Sequence, residues 1–154
     1  MVKGSEGFSL IELMVVVAMI GILAAAASPY TSAWSHQAAI DQFDAKFRLG
    51  VSRAVSDALR NPLGADPSDV VNTLAVENGR IVVFRCQSPN NCTSGTELWL
   101  SAIPKGVTLT SKTGAPITEL RFNSLGNIRG MDEPLSYSLS KGDYTDDHPG
   151  RTLH

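Results

Sequence analysis

Glu12 is the only charged side chain within the apolar stretch GFSLIELMVVVAMIGILAAAASPY, Gly7 to Tyr30. An ionised carboxylate deep in a membrane helix costs about 3 kcal/mol on insertion scales, so its presence calls for a compensating partner. The other residues able to do chemistry are few. His36 stands alone, and His148 and His154 lie in a polar tail. Asp146-Asp147-His148 could ligate a metal, but reads as part of a solvated tail. No Ser/His/Asp or Cys/His spacing, phosphate-binding glycine loop or dinucleotide fingerprint occurs. The sequence therefore predicts no catalytic residue, no metal and no cofactor, and the chain is not expected to be an enzyme.

Cys86 and Cys92 enclose the turn-forming residues of CQSPNNC with no histidine nearby. Zinc asks for four ligands, which leaves a disulfide or two free thiols. An oxidising compartment would close the loop, stabilising the fold by about 2 kcal/mol in the chain-entropy model; a reducing one would not. The compartment is set by the N-terminus. Phe8 to Ala27 is long enough to span a bilayer as a helix, and Lys3 in the leader places the N-terminus in the cytoplasm and the rest outside, which suits a disulfide. A cleaved secretory signal ending near Ala25–Ala27 and a plain single-span anchor are the competing readings, and both leave Glu12 unexplained.

The elements that must carry these residues follow from periodicity. After Pro29 the apolar residues Trp34, Ala38, Ile40, Phe43, Phe47, Val51, Ala54, Val55, Ala58 and Leu59 recur at steps of three and four, an amphipathic helix that Asn61-Pro62 stops. Asp66 and Pro67 read as the start of a short helix through about Val76, ended by Asn78-Gly79. Thereafter residues 80–86, 96–102, 107–110, 118–123, 127–129 and 135–139 read as strands. The tail from Gly142 reads as polar and mobile. The fold class expected is α+β: a long N-terminal helix, half transmembrane and half amphipathic, packed on a small antiparallel β-sheet domain. Its divisions are a leader at 1–7, a membrane helix at 8–29, an amphipathic helix at 30–60, and a loop or short helix followed by the β domain and tail at 61–154.

KGSEGFSLIEL closely resembles the class III signal of type IV prepilins and type II secretion pseudopilins: a short basic leader ending in glycine, then Phe-[Ser/Thr]-Leu-Ile-Glu-Leu. The resemblance implies cleavage after Gly7 by a prepilin peptidase, N-methylation of Phe8, subunit assembly through Glu12 and a helix kink at Pro29. It implies other pilin subunits, an inner-membrane assembly platform and the lipid bilayer as partners. The subunit would be a single-pass inner-membrane protein before assembly and part of a periplasmic or extracellular filament after it. The β-region stretches LWLSAIPKGVTL, ELRFNSLGNIRG and LSYSLS, with SRAVSDALRN on the helix, resemble the GspH/FimT family of minor pilins and pseudopilins. This implies a minor pilin of a type IV pilus, a type II secretion pseudopilin as the runner-up, or a FimT-like DNA-binding minor pilin. For DNA the candidate contacts are Arg121, Arg129, Lys141 and Arg151. Six basic and six acidic residues from Ser101 onward leave no excess for phosphate, so these read better as ordinary solvated side chains.

Overall fold

The computed structural model describes residues 9–130, 134–146 and 151–153, apart from the side chains of residues 28–30 and 94. Gly7 and Phe8, and Asp147, His148 and His154 of the tail, lie outside the described residues. The Ser9 carbonyl accepts from the Glu12 and Leu13 amides at 3.0 and 3.2 Å. From there helix α1, Leu10–Arg60, runs for 51 residues, continuous in its assignment through Pro29. Its end is local chemistry. Asn61 adopts φ 44°, and its side chain brackets Ala65, accepting from the amide at 2.8 Å and donating to the carbonyl at 2.9 Å. An asparagine tolerates this left-handed conformation, and Pro62 cannot continue the helix.

The chain divides into two compact units, Met1–Ser35 and His36–His154. In the first, the apolar side chains of α1 are exposed, Leu10 at 76% and Ile22 at 70%, and the helix is long and apolar enough here to cross a membrane. Such a surface has nothing to gain from water.

The second unit contains the remainder of α1 and two antiparallel sheets. In chain order the strands are β1 Val70–Glu77, β2 Arg80–Ser88, β3 Asn91–Ala102, β4 Val107–Ser111, β5 Glu119–Asn123, β6 Leu135–Lys141, β7 Tyr144–Thr145 and β8 Arg151–Leu153. One sheet has the order β3-β2-β1-β5; the other has β6 between β4 on one side and β7 and β8 on the other. Ile40, Phe43, Phe47, Val51, Ala54 and Ala58 of α1 are buried, the three-and-four spacing of one helical face. Gly50 lets the helix approach the first sheet: a Cβ there would lie 3.0 Å from Trp99 and 3.1 Å from Leu74. Against the second sheet, Phe47 meets Tyr137 edge-on at 5.2 Å. The expected α+β architecture is present.

Four local expectations fail. Residues 66–76 do not form a helix: Asp66 to Asp69 is a turn, closed by the Asp69 amide on the Asp66 carbonyl at 2.9 Å, and β1 follows. The β-branched pair Val70-Val71 favours strand, and Asn78-Gly79, with φ 50° and 72°, is a two-residue hairpin turn to β2 rather than a helix stop. Residues 127–129 make only a bridge, Phe122 to Ile128. Parts of the tail expected to be mobile pair as β7 and β8 along β6. Trp34 and Leu59, expected on the buried stripe, are 79% and 60% exposed.

Candidate functional site

Glu12 sits in the first turn of α1, where its amide donates to the Ser9 carbonyl at 3.0 Å. A carboxylate at this end of a helix is favoured by the exposed N–H groups and the positive end of the macrodipole. Its neighbours Leu10, Ile11, Leu13, Met14 and Val15 are all exposed, so the carboxylate stands in an apolar sleeve that water would not stabilise. The segment can therefore bury itself in lipid or against other helices, carrying one charge that seeks a cation.

Cys86 and Cys92 are joined as a disulfide, with Cα atoms 4.2 Å apart. It ties β2 to β3 across the Ser88–Asn91 turn, in which Asn90 has φ 63°. That turn is fixed to the start of β1: Asn90 accepts from the Val70 amide through its side chain at 2.9 Å and donates from its backbone to the Val70 carbonyl at 2.9 Å. Farther along β3, Gly95 is obligatory, since a Cβ would stand 1.8 Å from the Arg85 carbonyl oxygen.

The four candidate DNA-contacting cations separate into different settings. Arg151, on β8, has a side chain only 13% exposed and donates to Asp146 at 2.8 Å and Asp41 at 3.2 Å while also pairing with Asp44. Burial alone would lower its pKa, but the bond to Asp146 and the surrounding carboxylates leave it raised. Asp44 also takes the Tyr137 hydroxyl at 2.5 Å and Arg48 at 3.0 Å. Burial, then the bond to Asp44, pushes the Tyr137 hydroxyl pKa up. This network fastens β6 and β8 to α1, and nothing in the sequence marked it beyond Arg151 itself. Lys141 lies at the end of β6, opposite Val107 and Tyr144.

Arg121 and Arg129, by contrast, are brought together. The Arg129 amide donates to the Arg121 carbonyl at 2.7 Å, and both side chains line a groove of about 740 Å³ on the β3-β2-β1-β5 sheet. Glu119 holds Arg121 at 2.6 Å and raises its pKa by that hydrogen bond. Sequence spacing paired neither arginine with Glu77, Phe84 or the hairpin tip, which share the groove. Only the register of the strands does.

Residues 2–28 match the prokaryotic N-terminal methylation motif. No curated protein and no solved structure gives a significant match to the chain. The matched segment contains Glu12 and the exposed apolar part of α1, and the motif implies processing by a prepilin peptidase and assembly with other pilins. Residues 2–28 are thus similar to the N-terminal segment of type IV prepilin-like proteins.

Proposed function

We propose that this protein is a minor pilin subunit of a type IV pilus, processed after Gly7, methylated at Phe8 and assembled through Glu12. The observation that carries the reading is the methylation motif placed on an uncovered apolar helix with one carboxylate near its start. Cleavage would create an ammonium at Phe8. In a staggered stack of helices that ammonium can meet Glu12 of a neighbouring subunit, attracting it by about 4 kcal/mol at 4 Å and an effective dielectric near 20, before desolvation. Desolvation consumes much of this, so the pair contributes axial register more than affinity. Pro29 serves as the bending point between the membrane part of α1 and the part that packs on the sheets. The disulfide between Cys86 and Cys92 suits a domain displayed outside the cytoplasm.

Two measurements test the reading. Mass spectrometry of the mature protein should find methylated Phe8 as its first residue; Ser28 there would mean a secretory signal instead. Deletion should abolish surface pili or twitching. Lost exoprotein secretion with pili intact would move the subunit to a type II secretion pseudopilus.

A further inference from the structure

The groove on the first sheet is built from a consistent register. Leu74, Ile81 and Trp99 face Gly50 of α1, so Thr73, Ala75 and Glu77 of β1 lie on the opposite face by strand alternation. Phe84 and Arg121 flank Thr73 directly, and Glu119 is opposite Ala75. Arg121 and Glu119 neutralise one another along the wall, with the Arg121 Nε 2.6 Å from Glu119. Two charges remain. Arg129 lies beyond Arg121, its guanidinium steadied by the Ser68 carbonyl, and Glu77 stands at the far end of β1. Among the described residues neither is in an ion pair. Thr73, fully buried beneath this face, has a hydroxyl with no hydrogen-bond partner among the described residues.

From Thr73 to Glu77 is about 13 Å along the strand, and from β1 past β5 to Arg129 is about 10 Å across, so the backbones of Arg129 and Glu77 are about 16 Å apart. Between them lie Ala75 of β1 and the Arg121–Glu119 pair of β5, with Phe84 on the other side of β1. An extended peptide places residues i and i+4 on one face about 13 Å apart, within reach of both charges when those residues have long side chains. A volume of about 740 Å³ falls within the range that holds small ligands.

We propose that this groove binds an extended segment of another polypeptide carrying a basic residue and an acidic residue four positions apart. The basic residue meets Glu77, the acidic one meets Arg129, and a small apolar side chain between them lies over Ala75. Charge complementarity selects a peptide over a nucleic acid. Glu77 and Glu119 offset Arg121 and Arg129, whereas a phosphate backbone needs a clustered positive excess. The inference does not depend on which secretion or pilus system the subunit serves.

The test uses the full chain in detergent micelles and fluorescence anisotropy of dye-labelled, acetylated and amidated Lys-Thr-Val-Thr-Glu. Saturable binding is expected, and replacing the peptide's glutamate by glutamine should weaken it about 10-fold or more, the scale of a lost charge-assisted contact. Arg129→Gln should weaken the parent peptide similarly but respond little to the glutamine exchange, which identifies the contact without relying on the variant's stability. Glu77→Lys should restore binding to Glu-Thr-Val-Thr-Glu, and Lys105→Gln, outside the groove, should change nothing. Absence of saturable binding, or an unchanged affinity in Arg129→Gln, overturns the proposal. So does a single-stranded oligonucleotide that displaces the peptide in a salt-dependent way and loses its hold in Arg121→Gln/Arg129→Gln, which would assign the groove to nucleic acid.

Discussion

At the scale of single residues, two buried or burial-seeking acids show how position decides chemistry. Glu12 lies among exposed apolar side chains that leave water on assembly or insertion, so its charge demands a partner supplied from outside its own turn. Glu12→Ala is expected to keep membrane insertion and leader cleavage, since it removes only a cost to burial, while its incorporation into a wild-type filament falls at least several-fold. Counting the variant in sheared filaments against the membrane fraction checks this; normal incorporation would remove the register role. Tyr137 is the opposite case, a hydroxyl already satisfied. Its pKa is raised above the ordinary 10.0, first by burial and then by its bond to Asp44. The unfolded chain therefore loses this proton at lower pH than the folded one. Stability is fully present below about pH 10 and falls as pH rises from there toward the folded pKa, with a limiting slope of about 1.4 kcal/mol per unit. Tyr137→Phe should lower stability at neutral pH by about 1 kcal/mol, the worth of a hydrogen bond, and flatten that alkaline slope. Thermal unfolding between neutral and alkaline pH compares the two.

At the scale of elements, one of the shortest strands is held by buried ion pairs. β8 is three residues long, and it is held to β6 by a short ladder and to α1 through Arg151. Arg151→Met would leave Asp44 and Asp146 facing each other without their shared cation, with side chains only 13% and 3% exposed. A loss of about 3 kcal/mol is expected, visible in chemical denaturation, and Asp146→Asn in the same chain should recover part of it. This element was illegible in the sequence for a physical reason. Its partners Asp41, Asp44 and Tyr137 are up to 110 residues away, and RTL alone carries neither length nor alternation enough to mark a strand. The elements with internal periodicity were legible: the buried helical face from Ile40 to Ala58, and β2, β4, β5 and β6 within a few residues. β1 is ambiguous in the sequence because Asp-Pro can start a helix or a turn, and Asn-Gly can end a helix or make a hairpin. Tertiary pairing with β2 and β5 chose the strand. Glu12 and the cysteine pair were visible because their chemistry depends on residues close by in the chain, while the groove joins β1, β2, β3 and β5 and could be seen only after folding.

At the scale of the whole molecule, processing and assembly are coupled if the partner of Glu12 is the amine of a cleaved Phe8. A leader still attached would bury that nitrogen in a peptide bond and remove the cation. Gly7→Leu should therefore leave the leader on, detectable as an unprocessed mass in the membrane fraction, and should block entry into filaments even though Glu12 is intact. The two substitutions should also fail to add. Each removes one half of the same pair, so Gly7→Leu/Glu12→Ala should incorporate no less efficiently than the worse single variant. If the double variant falls well below both, the leader and the carboxylate act through separate steps, and the proposed amine–carboxylate pair is not what links them. Agreement between the double and the worse single variant, with Phe8 methylation lost only where Gly7 is changed, would place cleavage upstream of the ion pair and the pair upstream of polymerisation.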